Sequence, residues 1–369
     1  MNNMKVDFAP LEIPLQRRLQ TAAVAQWVFS FIGLAPLCIF IFFYLLFTRF
    51  WLISVLYAVW WSYDYDTPAR GGQRMHLLCG LKMWDYMRDY FPIKVRERGH
   101  HDLSLCQCIL SLISTYMAPR EQGPQYKQSH NNSSLIQIYS NLFETADLDP
   151  RHNYVLGFHP HGVLVAGAFT NFCTTPRAFR ELFPGLTSYL LMLPLWFRSP
   201  FFRNYIMCLI PSDKESASYP LRKPGGGNAV VIAVGGAPEA LNAHPGTYNV
   251  LLAQKKGFIK MAMAHGAHLW KTKEEPGFDG HRSGCKESWV SPCLSSMHVA
   301  IFQYSFGLMP YRRPIHTVVG RPIQVQRNEK PAAEELDALH QLYMDELSKL
   351  FEEHKEKYGV DKDTQLNFV

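Results

Sequence analysis

Charge is what this chain has least of. Of its 369 residues only 18% are Asp, Glu, Lys or Arg, against 47% hydrophobic. That balance excludes a solvated, disordered polymer. No charged residue occurs between Arg18 and Arg49. The net charge of +6 is modest, and the cations are spread among aromatics. Nucleic acid is therefore not an indicated partner, whereas a membrane surface or an anionic cofactor is. Metal-ligand spacing is also missing. The eight cysteines are scattered, and the one close pair is Cys106 and Cys108. Reduced thiols are expected rather than a disulfide framework or a zinc site. The chain has no Gly-x-Ser-x-Gly elbow, no phosphate-loop lysine pattern and no internal repeat. A serine-hydrolase nucleophile, a P-loop and a solenoid are excluded with them.

What is present begins with an apolar run from Trp27 to Phe47. About 20 such residues span a bilayer core. A second apolar stretch, Phe50 to Trp61, follows at once, and Pro36 interrupts the first. The pair reads as a transmembrane helical hairpin, or as one span and one re-entrant helix. Trp51, Trp60, Trp61, Tyr63 and Tyr65 would sit at the interface. A cleaved signal peptide fits poorly, because the run is long and more apolar sequence succeeds it. Arg17 and Arg18 favour a cytosolic N-terminus.

Four regions follow from the pattern: a tail and membrane hairpin over 1–63, an interfacial segment over 64–95, an inserted irregular loop over 96–144, and a catalytic domain over 145–369. The interfacial helix should end at Tyr90-Phe91-Pro92, because a proline disfavours helix at the residue before it. From Asp147 onward the chain reads as α/β with a mainly parallel central sheet. Tyr154–Phe158, Ala229–Val234 and Thr317–Val319 are expected as buried strands. Ala332–Tyr358 is expected as a helix whose apolar stripe (Leu336, Leu339, Leu342, Tyr343, Leu347, Leu350, Phe351) covers the sheet.

Three motifs can carry chemistry. In His159-Pro160-His161-Gly162 a strand delivers two imidazoles to its end, Pro160 stiffens the turn, and Gly162 lets a ligand approach. A small-residue helix pattern, Val163 to Cys173, follows. His161 is the candidate general base, since imidazole takes a proton near neutral pH. A lone histidine is usually a satisfied core residue; two flanking a proline at a strand end raise the functional reading. A metal pair, His159 with His161, is the rival, but no third ligand is at hand. The second motif, Gly235-Gly236-Ala237-Pro238-Glu239, also closes a strand. Glu239 either supports His161 or is a helix-start carboxylate favoured by the dipole. Side by side at the carboxyl ends of parallel strands, two such turns would form a crevice. The third motif is Lys255-Lys256-Gly257-Phe258-Ile259-Lys260, which holds phosphates of an anionic cofactor or is a solvated face. With no enzyme nucleophile, the chemistry favours direct transfer, in which a base activates an acceptor hydroxyl that attacks an already activated acyl donor.

The turn His159-Pro160-His161-Gly162 after Asn153-Tyr154-Val155-Leu156-Gly157-Phe158 resembles the signature of the diacylglycerol acyltransferase 2 family. Tyr90-Phe91-Pro92, Gly235-Gly236-Ala237-Pro238-Glu239-Ala240-Leu241, Lys255-Lys256-Gly257-Phe258 and Phe302-Gln303-Tyr304-Ser305-Phe306-Gly307-Leu308 extend the match. Lys5–Leu11 and Leu350–Lys355 are similar to the monoacylglycerol acyltransferase branch. The resemblance implies a multi-pass endoplasmic reticulum enzyme with a cytosolic catalytic domain. It implies acyl-CoA as co-substrate, no bound cofactor and no metal, and 2-monoacylglycerol as acceptor with diacylglycerol as product. It also implies His161 as catalytic histidine, His159 supporting the turn, and Glu239 as the family's glutamate. Substrate contacts are then expected from Pro160, Gly162, Gly235, Gly236, Lys255, Lys256, Gly257, Phe258, Lys260, Tyr90, Phe91 and Pro92. A homo-oligomer is compatible with this reading. Two blocks depart from the family pattern. The segment 96–144 adds roughly forty residues, beyond ordinary loop length. After Ala267 a core strand and a site loop are expected to be missing, with 270–297 irregular. A catalytically silent, lipid-binding relative is the alternative that this departure raises.

Overall fold

The computed structural model of the chain describes residues 13–73, 80–91, 142–144, 148–161, 165–174, 179, 182–241, 248–276, 297–299, 309–310, 312, 315–358 and 360–369. Lys5–Leu11, Pro92, Gly162, Phe302–Leu308, most of the 96–144 block and residues 277–296 lie outside the described residues.

The N-terminal apolar sequence folds as one long helical path. Helix α1 (Leu15–Phe29) passes through a π-helical turn at Ser30–Leu34 into α2 (Ala35–Leu46). The wide turn has a covalent cause: Pro36 has no N–H to give the carbonyl one turn back, and a helix relieves that loss by locally rewinding. α1 buries Ala23, Val24, Trp27 and Val28 against the body. In α2 only Ala35 is buried, and Leu37, Phe40, Phe43 and Tyr44 are exposed. Helix α3 (Trp51–Tyr63) folds back beside α2, with the Ser54 hydroxyl donating to the Phe42 carbonyl at 3.0 Å. Leu15–Leu46 is long and apolar enough to cross a bilayer. With 13 residues, α3 is about 20 Å long, short of a full span. Among the described residues the structure therefore shows one helix of spanning length; a transmembrane hairpin of two full spans is not shown.

Helix α4 (Lys82–Tyr90) ends with Phe91 as its cap residue, as the Pro92 argument requires. It buries Trp84, Met87 and Tyr90. Trp84 meets Trp27 edge-on at 5.9 Å. The apolar edge of α4 thus clamps α1 to the body.

The sheet contains seven strands: β1 (Leu142–Glu144), β2 (Tyr154–His159), β3 (Thr187–Met192), β4 (Ile210–Pro211), β5 (Asn228–Ala233), β7 (His268–Pro276) and β10 (Ile315–Val319), in the order β1-β10-β7-β2-β5-β3-β4. Outside it lie β6 (Asn249–Val250), the antiparallel pair β8 (Met297–Val299) and β9 (Met309–Pro310), and β11 (Asn367–Phe368), which is parallel to β6. The run β7-β2-β5-β3-β4 is parallel throughout. β10 runs antiparallel to β7, and β1 parallel to β10. The crossovers use α5 (Ala166–Phe169) with a π-turn at Thr170–Thr174, α6 (Phe202–Tyr205), α7 (Lys214–Leu221), α8 (Gly236–Leu241) and α9 (Gly257–His265). Helix α10 (Ala333–His354) is the long C-terminal helix expected over 332–358, with its last turn tightened to 3₁₀ at Glu356–Tyr358.

Two expectations are corrected here. No core strand is missing after Ala267, because His268–Pro276 forms β7, paired in parallel with β2 from Tyr154↔His268 to His159↔Lys273. The outward composition of Lys271-Thr272-Lys273 disguises it: Lys271 is buried by pairing with Glu346 of α10 at 2.8 Å. The irregular insert also ends earlier than expected, since Leu142–Glu144 joins the sheet as β1. Its register partner β10 lies far along the chain, so no local pattern announces it.

The sheet divides the interior. Tyr154, Leu156, Phe158 and Trp270 face the aromatic core built with Trp27, Trp84 and Phe169. Val155, Val230 and Leu269 face the other core, with Phe258 and Tyr343 from α9 and α10. Alternation along β2 sends every second side chain to each side. His159 ends the strand on the α10 side.

Candidate active site

β2 and β5 are neighbours, parallel and in register from Tyr154↔Ala229 to Phe158↔Ala233. Their carboxyl ends open side by side, which puts the histidine turn next to the double-glycine turn. Among open parallel sheets this edge is the usual ligand crevice.

His159 and His161 go to different partners, although two residues apart on a strand would point one way. The chain turns at half-buried Pro160. His159 is 1% exposed, and its Nε2 lies 3.1 Å from the Tyr343 hydroxyl on α10. Burial, above all, holds the His159 imidazole down at about 3, so the ring is neutral. Burial also raises the Tyr343 phenol, which stays protonated. Gly157 makes this contact fit: a Cβ there would fall on the Tyr343 hydroxyl and 2.8 Å from the His159 Nε2.

His161 is 4% exposed and faces Glu239, also 4% exposed. Its Nε2 is 3.6 Å from Glu239 Oε1. The carboxylate is held by two backbone donors, with the His161 N–H giving to Oε1 at 3.1 Å and the Leu251 N–H to Oε2 at 3.0 Å. Gly236 starts α8 at φ +62°, a conformation that L side chains rarely adopt, and a Cβ on Gly235 would collide with the Glu239 carboxylate. The Gly-Gly-Ala-Pro-Glu spacing therefore has a steric reason: it folds the carboxylate back under its own turn. A buried carboxylate beside an imidazole can stabilise the imidazolium that forms when the ring takes a proton. The geometry suits general-base chemistry. Among the described residues no group of three His, Cys, Asp or Glu side chains is placed to hold a metal ion.

α9 runs from this edge back toward the start of β7. Lys255 and Lys260 are exposed and Phe258 is buried. Lys256 pairs with Asp337 at the start of α10 at 2.6 Å. Exposed Gly257 opens the helix. Leu252, between Leu251 and this basic stretch, accepts from Lys255 N–H at 2.9 Å and faces the His340 Nε2 at 3.1 Å. Tyr90 and Phe91 sit on the other side of the sheet, in the aromatic core. The Tyr90 hydroxyl donates to the Pro310 carbonyl at 2.7 Å, and the Arg312 guanidinium lies 4.5 Å over its ring. The structure thus gathers His159, Pro160, His161, Gly235, Gly236 and Glu239. It sets Lys255–Lys260 beyond them and Tyr90-Phe91 in a packing role beneath α1.

Sequence reasoning missed two parts of this site. Tyr343 was legible only as a member of an apolar stripe; the available signal was that a buried tyrosine hydroxyl needs a partner. The Leu251 N–H carries no side-chain signature at all.

The sequence pattern of the family described as Diacylglycerol acyltransferase matches residues 43–107, 110–272 and 286–369. The chain is 44% identical over 382 residues to 2-acylglycerol O-acyltransferase 1 of Bos taurus, covering 99% of this chain and 100% of that protein. It is 40% identical over 379 residues to 2-acylglycerol O-acyltransferase 1 of Homo sapiens, covering 98% and 99%. Diacylglycerol O-acyltransferase 2 of Mus musculus is 34% identical over 363 residues, covering 94% and 81%. No solved structure matches.

Proposed function

The chain belongs to the diacylglycerol acyltransferase family, and we propose that it transfers an acyl group from acyl-CoA to 2-monoacylglycerol, giving diacylglycerol and free CoA at the endoplasmic reticulum membrane. The observation that carries this is the buried His161–Glu239 pair, 3.6 Å apart, at the carboxyl ends of β2 and β5. His161 takes the proton of the acceptor hydroxyl as its oxygen attacks the thioester carbonyl. The carbon–sulfur bond breaks, and the imidazolium returns the proton to the departing thiolate. Glu239 holds the positive charge between those two moments. His159, neutral and tied to Tyr343, stiffens the turn. Lys255, Lys256 and Lys260 supply cations for the CoA phosphates, and Pro160, Gly162, Gly235, Gly236, Gly257 and Phe258 shape the crevice. No metal and no resident cofactor are required by this scheme.

The membrane topology is part of the same reading. The apolar stretch Phe29–Leu46, exposed over most of its length beyond Ala35, rises about 27 Å, close to a bilayer core. α3 returns part of the way, so Arg49 at the bend reaches the far headgroups and the body stays on the side of Leu15. The chain thus enters the bilayer through α2 and returns toward the same face through the shorter α3, with the catalytic domain on the cytosolic side that Arg17 and Arg18 favour.

A catalytically silent relative is the second reading, and the unmatched residues 273–285 are its support. One assay separates the two. Microsomes bearing the chain, given labelled acyl-CoA and 2-monoacylglycerol, should form labelled diacylglycerol, and His161→Ala microsomes should not. Equal product from both would reject the enzyme reading.

A further inference from the structure

The segment after β3 does not behave like an ordinary surface connection. Leu193-Pro194-Leu195-Trp196-Phe197-Arg198-Ser199-Pro200-Phe201 leaves the carboxyl end of β3, the edge that also carries His161 and Glu239. Its leucines point outward: Leu193 is 50% exposed and Leu195 61%. No acidic residue occurs from residue 182 to residue 212, and Arg198 is the one charge within the segment.

The contacts of this segment follow the membrane helices rather than the body alone. Trp196 meets Phe31 edge-on at 5.5 Å. The Ser199 hydroxyl donates to the Ala35 carbonyl at 3.3 Å. The Phe201 ring lies 6.0 Å from Phe42 and 4.3 Å from Tyr57. The Phe201 N–H donates to the Tyr57 hydroxyl at 2.8 Å. Phe201 holds φ +59°, a costly conformation for an L residue, so the α3 hydroxyl fixes a strained bend. The chain then descends: buried Arg203 pairs with Asp64, just past the end of α3, at 2.9 Å. Ala35 is the one buried residue of α2, and Phe42 stands seven positions beyond it, about 10 Å along the helix. The segment therefore climbs α2, bends at Phe201 and returns.

We propose that Leu193–Phe201 is a re-entrant loop inserted in the acyl-chain region of the bilayer that α2 enters. This rests on the reading of α2 and α3 as membrane-embedded. Arg198, at the level between the Phe31 and Ala35 contacts, extends its guanidinium to the headgroups. The consequence is functional: the carboxyl edge of the sheet abuts the membrane surface, and a glycerolipid acceptor reaches His161 sideways from the leaflet without crossing water.

The test uses the full chain in microsomes with a genetically encoded photo-crosslinker at one of three exposed sites: Leu195, Phe40 on α2, or Glu353 near the end of α10. Phospholipid adducts are expected at 195 and 40 and none at 353. Adducts at 40 without adducts at 195 overturn the proposal. Their absence at 40 as well sinks the membrane reading of the hairpin and this loop together. The entry role is read separately with the double variant Leu193→Glu, Leu195→Glu. Its KM for acceptor presented in bilayers should rise about tenfold, the equivalent of losing part of one buried leucine, with kcat little changed. An unchanged KM overturns that role.

Discussion

Replacing Glu239 by glutamine keeps the shape of the side chain and removes its charge. The carboxylate accepts from two backbone N–H groups, at 3.1 and 3.0 Å, and lies 3.6 Å from the His161 Nε2. Two unit charges at that separation, in an effective dielectric of about 20, attract by roughly 4–5 kcal/mol. The imidazolium is only partly formed in the transition state, so about half of this, ~2 kcal/mol, is available to the rate. That corresponds to about a 30-fold loss of turnover. The substitution has a structural cost as well. A glutamine has one acceptor oxygen, so one of the two backbone N–H groups faces an amide N–H instead. An orphaned buried donor costs ~1–3 kcal/mol of stability.

The assay is therefore double. Initial rates with labelled acyl-CoA and 2-monoacylglycerol should fall 10- to 100-fold, on the order set by the Coulomb estimate, with a smaller change in KM for either substrate. Thermal unfolding of the detergent-solubilised protein should shift down yet leave Glu239→Gln folded at the assay temperature. A variant with turnover within about twofold of the parent would refute the claim that the carboxylate stabilises charge on His161. So would a loss fully accounted for by unfolding.

Gly157→Ala should destabilise the fold by ~1–3 kcal/mol through overpacking and abolish product, because its Cβ would displace Tyr343 from His159; an active, fully stable variant would disprove that contact. His159 gives a pH dependence: held at about 3 in the fold against 6.5 otherwise, it binds fewer protons folded than unfolded between those values. Its contribution is complete above the unfolded value and drains away as pH falls toward the folded one. Denaturant midpoints should thus drop between about pH 7 and about pH 5 in the parent, and less in His159→Gln; parallel curves would contradict the assignment. For the Lys271–Glu346 pair the two sides are unequal. Glu346→Gln strands a buried ammonium and should cost ~1–3 kcal/mol, whereas Lys271→Met should stay within ~1 kcal/mol; chemical denaturation showing the reverse order would count against burial of Lys271.

Much of the fold was legible because its signals are local. The apolar run, the proline break, the strands at 154 and 229 and the striped C-terminal helix each announce themselves within a dozen residues. The observed β2, β5 and α10 lie within a few residues of those expectations. β7 was not legible, because its buried lysine looks like a surface residue until Glu346 arrives from α10. β1 was not legible either, because its partner lies far along the chain. In the site, the histidine and glycine turns could be named from their residue types. The pairing of His161 with Glu239 was one of two readings open in the sequence; that His159 turns away to Tyr343 was not legible, since strand periodicity puts the two rings together.

The sequence by itself determined which chemical groups are available and which stretches avoid water, since both follow from side-chain type and short-range period. Only the tertiary structure decided which groups meet. It placed Leu251 N–H under Glu239, Tyr343 against Gly157, and the Leu193–Phe201 loop along α2. Each of these contacts joins residues that no local rule links, held there by the packing of two cores on one sheet.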